Sequence, residues 1–514
     1  MKKPFIATLA AMLVGLLSFP AEATVPPPAG SEASRNPVLR RPLPTPVKRG
    51  LKNIVRRVWA ARAASPAELN SADPALQRKF RVSGTVEIPV LLVSFANTPK
   101  APVEVAQYQQ QLFDGPWPTG TLTEYYRTAS YGSFELRGQV FDWKQLPLPD
   151  EFYEGADFDY QGESYPCLGR CSTAQIARFV TDAIAAHSGT IDWGRYDNDG
   201  PDGKPNSGDD NGYVDFVAIV HAEAGSECPS NENIWSQQYR LSGYGAPLST
   251  GTRSLKPGAG DILIDEYAVI AGLDCNSENP NPIGVMAHEF AHAFGLPDLY
   301  DTNDLEDGVT SGVGRWCLMG QGGLTPDGTS ASRPVQLSPW ARAALGWLDF
   351  QDINSDTPAL TIPNVDSQRV AYRVVTSPGS YYVLVNGQKE ASNTDLPGSG
   401  LQIWNINEPL IQATIVSNEV NTGPKRKGVD LVEADGKERL DSVPPVYWGS
   451  EDDVFPGTQN ARHFDETTSP RTWGSFAVCE ISDSSSVMTV KVLRSKAKCE
   501  PPFVNPPVVG PPTP

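Results

Sequence analysis

Histidine is scarce in this chain, with five among 514 residues, so two of them close together carry weight. Cysteine is sparse as well: seven residues, at 167, 171, 228, 275, 317, 479 and 499, with no C-x-x-C pair. That spacing argues against a Cys-based zinc cluster. Basic charge is short, 42 Lys and Arg against 60 Asp and Glu for a net of −18, which disfavours an overall basic nucleic-acid binder. Beyond the N-terminus no segment is long and apolar enough to span a bilayer, and no repeat of fixed period is visible. What is present is an apolar fraction of 39%, enough to exclude wholesale disorder. Gly (45) and Pro (47) are abundant, favouring strands and long loops over helical bundles. The length suits two or three domains.

The first segment reads as an address. Lys2 and Lys3, an apolar run from Phe5 to Phe19 and Ala21-Glu22-Ala23 have the layout of a secretory signal peptide over residues 1–23. The mature protein is therefore expected outside the cytoplasm, secreted or periplasmic, with no stable membrane insertion. Residues 24–83 carry twelve Lys or Arg against three acids, whereas the chain as a whole is acidic. A basic leader on an acidic body reads as a prosegment docked on its own enzyme. A solvated linker or a membrane-surface helix is the alternative, since Leu51, Ile54, Val55, Val58 and Trp59 share a helical face. In a secreted chain most cysteines should pair. The working expectation joins Cys167 to Cys171, Cys228 to Cys275 and Cys479 to Cys499, leaving Cys317 buried, although spacing does not fix this.

The chemistry concentrates in residues 281–301, NPIGVMAHEFAHAFGLPDLYD. His288 and His292 are four apart, one turn on one helix face, where both imidazoles can clamp one zinc ion. Glu289 between them is placed to act as general base on a metal-activated water. Zinc needs a third protein ligand and an open fourth position. A straight helix would carry residue 298 about 9 Å along the axis past His292, out of reach. Gly295 and Pro297 end the helix instead, so the chain can swing Asp298 back under the metal. Glu306 is the rival ligand if a second helix follows, as in gluzincins.

These residues carry a resemblance. His288-Glu289-x-x-His292-x-x-Gly295-x-x-Asp298 resembles the long zinc motif of metzincins, with Asp in place of the usual third His. The continuation PDLYD, followed by Trp316-Cys317-Leu318-Met319-Gly320, resembles the immune inhibitor A family of secreted bacterial metalloproteases. So do Pro89–Phe95, Tyr125–Gly132 and Val214–Ala222, and, past residue 350, PGSGLQIWNINE and KGVDLVEADG. Asn405 departs from the pattern, standing where a His is expected. The resemblance implies an α/β metzincin-like protease domain over 84–350, a twisted sheet over two helices with a cleft beneath an edge strand. An antiparallel β domain over 351–495 and a Pro-rich tail over 496–514 would follow. It also implies that Met319 is the Met-turn residue beneath the ligands, with Gly295 supporting the turn.

Residues 196–215 give a second metal signal. Asp197 and Asp199 before Gly200 resemble the start of a Ca²⁺ loop, with Asp202, Asp209, Asp210, Asn211 and Asp215 as further oxygens. A solvated acidic turn remains the alternative. His221 reads as a satisfied core histidine. Tyr300 is either a transition-state hydrogen-bond donor or packing. Together these features predict a secreted zinc endopeptidase acting on proteins or peptides, made as a zymogen. The competing reading is an adhesion protein with an inert protease-like domain.

Overall fold

The computed structural model describes residues 81–499, apart from 99–102, 161, 201, 229–230, 303–309, 391–392, 424–425 and 444–446. The expected signal peptide, nearly all of the leader, most of the tail and Glu306 lie outside the described residues. The last leader residues are already packed. Val82 donates its N–H to the Leu345 carbonyl at 2.9 Å, and Trp347 Nε1 donates to the Val82 carbonyl at 2.7 Å.

The first sheet is built from β1 (Gly84–Ser94), β2 (Phe134–Gln145), β3 (Val217–Ala224), β4 (Gln237–Arg240) and β5 (Glu266–Leu273). Its order is β2-β1-β3-β5-β4, parallel except for the antiparallel edge strand β4. The central strands are apolar on both faces, as parallel strands covered on both sides must be. Leu91, Val93, Val217, Ile219, Tyr267 and Val269 face α3 (Ile176–Ala186), where Phe179, Val180 and Ala183 meet them. The alternate residues Val90, Leu92, Ala218, Val220 and Ile270 face α1 (Leu122–Ala129) and α4 (Ile283–Ala293). The expectation of two helices therefore needs correcting. A third is required because the double-faced apolar strands leave two surfaces to cover. A short helix, α2 (Asp150–Glu154), sits just beyond the end of β2.

Past residue 350 the chain is mainly strand. β6 (Phe350–Asp352), β8 (Ala371–Ser377), β9 (Ser380–Gly387), β10 (Gly400–Asn407) and β11 (Val429–Leu431) form one sheet. Its pairs are antiparallel except β6 with β8. β7 (Thr357–Pro363), β13 (Val487–Leu493) and β12 (Ala477–Cys479) form a second, antiparallel throughout. Strand β9 shows how the halves join. Tyr382 and Leu384 face the small sheet, while Tyr381, Val383 and Val385 belong to the same core as α4. The protease-side core thus runs on across residue 350 without a break. Disulfides join Cys167–Cys171, Cys228–Cys275 and Cys479–Cys499, and Cys317 is a buried free thiol.

Candidate active site

Helix α4 follows Pro282 and is buried along its whole length, so it is held by packing on every side. Gly284 permits the tightest approach: a Cβ there would lie 2.1 Å from the Gly323 carbonyl oxygen. Tyr126 of α1 crosses over, donating its hydroxyl to the Ala287 carbonyl at 2.5 Å and setting its ring edge against Phe290. The helix ends where the sequence says it must. Gly295 adopts φ +91°, a left-handed conformation that suits glycine, and donates to the His292 carbonyl at 2.8 Å. The chain then doubles back.

That return brings Asp298 to the two imidazoles. His288 Nε2 lies 3.1 Å from Asp298 Oδ1 and 3.1 Å from His292 Nε2, and His292 Nε2 lies 3.3 Å from the same oxygen. Ligand atoms sharing one tetrahedral zinc at 2.0–2.2 Å stand about 3.3–3.6 Å apart, so the three form one slightly tight face of such a tetrahedron. Protonation fits the same reading. His288 Nδ1 donates to the Leu318 carbonyl and His292 Nδ1 to the Leu296 carbonyl, both at 2.8 Å. A carbonyl only accepts, so each Nδ1 carries the proton and each Nε2 turns a lone pair inward. Burial pushes His292 below the ordinary histidine range. Burial acts to raise Asp298, but His292 and His288 outweigh it and hold the carboxyl well below its usual range. Two imidazoles and a carboxylate, all facing one point, are a donor set for a divalent zinc ion.

The floor of the site comes from far along the chain. Asp298 Oδ2 accepts a 2.6 Å hydrogen bond from Asn418 Nδ2, and the Asp298 N–H donates to Asn418 Oδ1 at 2.8 Å. Asn418 sits at φ +59°, a conformation asparagine tolerates. No spacing in the sequence points to it, because its partner is 120 residues away. Met319 is fully buried, and its carbonyl accepts from the Leu299 N–H at 2.7 Å, tying the 317–320 turn to the ligand loop. Glu289 is fully buried on the same turn of α4 as the ligands. Tyr300 is buried beside His288, ring centroids 6.5 Å apart and nearly parallel.

In the acidic loop, Asp197, Asp199 and Asp210 converge, with carboxylate oxygens within 4.8 Å of one another, and Asp215 is buried beneath. Among the described residues neither oxygen of Asp197 has a hydrogen-bond partner. Burial, then Asp210 and Asp199, push Asp197 up to about 7. Burial, then Asp199 and Asp197, raise Asp215 well above the carboxylate range. Asp202, Asp209 and Asn211 instead bond within the loop: the Asp202 N–H donates to Asp209 Oδ2, and the Tyr213 N–H to Asn211 Oδ1. One expectation fails. His221 is buried but not satisfied, since neither ring nitrogen has a hydrogen-bond partner among the described residues.

Comparison with known proteins agrees with this geometry. Residues 104–348 match the family model described as immune inhibitor A peptidase M6, catalytic domain. The chain is 26% identical over 257 residues to the pre-pro-metalloprotease PrtV of Vibrio cholerae serotype O1, covering 47% of this chain and 26% of the relative. It is 28% identical over 228 residues to immune inhibitor A of Bacillus thuringiensis subsp. alesti, covering 43% of this chain and 31% of that one. The chain thus spans under a third of the length of these curated relatives. Among the described residues no helix is long and apolar enough to cross a membrane. Residues 104–348 are thus similar to the catalytic domain of the immune inhibitor A-type M6 peptidases, which supports a metalloendopeptidase.

Proposed function

We propose that the protein is a secreted zinc endopeptidase that cleaves peptide bonds of extracellular proteins and is made with a basic leader that restrains it. The observation that carries this reading is the convergence of His288 Nε2, His292 Nε2 and Asp298 Oδ1 on one turn of chain with Glu289. Those three atoms would hold zinc, leaving its fourth position open. Bound zinc supplies Lewis-acid polarisation of the scissile carbonyl and acidifies water.

The chain's own residues do the rest. Glu289 takes a proton from the attacking water and delivers it to the leaving amine, and its burial strengthens that role. His288 and His292 are held in the right tautomer and correctly turned by the Leu318 and Leu296 carbonyls. Met319 supports the ligands through its turn and binds no metal. Tyr300, its ring 6.5 Å from that of His288, is the candidate donor to the developing oxyanion. The substrate lies beneath the antiparallel edge strand β4. Asp197, Asp199 and Asp210, with Asp215 below, hold a structural calcium ion that neutralises their mutual repulsion. The test is casein cleavage by the purified protein with and without a zinc chelator. The reading expects loss on chelation and recovery on adding zinc, and activity indifferent to chelator would reject it.

A further inference from the structure

A second group of acids lies elsewhere, where α2 meets the end of β3. Asp150 and Glu154 from α2 and Glu223 from β3 bring carboxylate oxygens within 4.8 Å of one another. These are not the zinc ligands, nor the acidic loop. Asp150 keeps a hydrogen bond from Asn97 Nδ2 at 2.5 Å. Among the described residues, Glu154 Oε1 and Glu223 Oε2 are buried without any hydrogen-bond partner. Burial first, then Asp150, Glu223, Glu151 and Glu232, push Glu154 up to about 8.

The independent sign is His221. It is fully buried, both ring nitrogens lack a hydrogen-bond partner among the described residues, and Nδ1 points at Glu223 Oε2 from 3.7 Å. On its other side stands an apolar wall, with the Phe95 ring 6.0 Å away. Buried Glu227 interacts electrostatically with the same imidazole and has one oxygen similarly unmatched. Buried polar groups are normally satisfied, so a cluster of four that are not asks for a missing partner.

We propose that Asp150, Glu154 and Glu223 bind a calcium ion, with His221 as the positioning residue that orients Glu223. The chemistry selects the ion. The converging atoms are all carboxylate oxygens, which hard cations prefer. Oxygens sharing one Ca²⁺ at 2.3–2.6 Å stand up to about 5 Å apart, which a group spread over no more than 4.8 Å allows. The ion would tie α2 to the end of the central strand β3. It would also fix the loop closed by Cys167–Cys171, since the Gly169 N–H bonds the Glu154 carbonyl at 2.8 Å.

The proposal is independent of the peptidase reading, and its test reads metal rather than turnover. Calcium and zinc are counted per chain in the zinc-loaded full-length protein, in Glu154→Gln/Glu223→Gln, and in Asp197→Asn/Asp210→Asn as a control for the acidic loop. The first pair should lose one calcium equivalent with zinc unchanged, and that loss should be separate from any loss in the control. Limited proteolysis between residues 150 and 176 should be slowed by calcium in wild type but not in that pair. In calcium-free buffer the Gln pair should be at least as stable as wild type, because repulsion between the acids is relieved. Unchanged calcium stoichiometry in the folded pair overturns the proposal, as does a wild type whose calcium is all removed by the control substitutions, leaving a cluster neutralised by protons alone. Should the pair fail to fold, Asp150→Asn should weaken one calcium by roughly 10-fold or more, and an unchanged affinity there also overturns it.

Discussion

Asn418 offers a test of whether the β-rich half serves the metal site. Its side chain makes two hydrogen bonds to Asp298, one of them 2.6 Å to the carboxylate oxygen that does not face the imidazoles. A hydrogen bond to a charged group contributes about 1.5–3 kcal/mol. Removing such an outer support of a metal ligand typically lowers affinity about 10–100-fold. The cleanest change is Asn418→Gly, because glycine accepts φ +59° and the loss is then confined to the side chain. Asn418→Ala adds about 1–2 kcal/mol of left-handed backbone cost and would blur the result. Zinc affinity measured by competition with a chromogenic chelator should fall by about 10–100-fold. At saturating zinc, kcat should recover much of the wild-type value, since Asn418 touches no reacting atom. An Asn418→Gly protein with wild-type zinc affinity would refute the idea that this pair orients the ligand.

Three further outcomes follow from the same geometry. Asp298→Ala should lose zinc on dialysis while Glu306→Gln keeps it, as metal analysis of the purified variants will report; the reverse would transfer the third ligand to Glu306. Asp197 has a folded value of about 7, above its ordinary 3.8, so the folded state holds the extra proton between the two. Without calcium, this group's contribution to stability should therefore be fully present below pH ~4 and be lost as pH rises through ~7, and millimolar calcium should flatten that part of the slope in thermal melts; a slope indifferent to calcium would reject the loop as an ion site. Trimming the precursor at Lys48-Arg49 or Arg78-Lys79 should raise turnover of a protein substrate, and untrimmed protein of equal activity would reject an inhibitory leader.

The proposed zinc site was legible because its parts are local. His288, Glu289 and His292 lie within five residues, and Gly295 and Pro297 announce the turn that returns Asp298. Short-range chemistry of this kind survives in a single sequence. Asn418 was not legible, because its role depends on a contact across 120 residues of chain. How the two parts meet at residue 350 was not legible for a related reason. Strand β9 alternates as any two-faced strand does, and sequence cannot say that one face completes the core beneath α4. His221 reads as core from its apolar neighbours, while its unmatched nitrogens and the acids around it appear only once α2 and β3 are brought together.

The central claim is that Glu289 performs proton transfer at a zinc site built by its helix. The most direct measurement compares casein cleavage by zinc-loaded wild type and Glu289→Ala, with zinc counted in both. The account predicts one zinc per chain in each and a rate lower by about 10²–10⁴-fold in the variant. A Glu289→Ala protein that holds zinc and cleaves casein at close to the wild-type rate would contradict it.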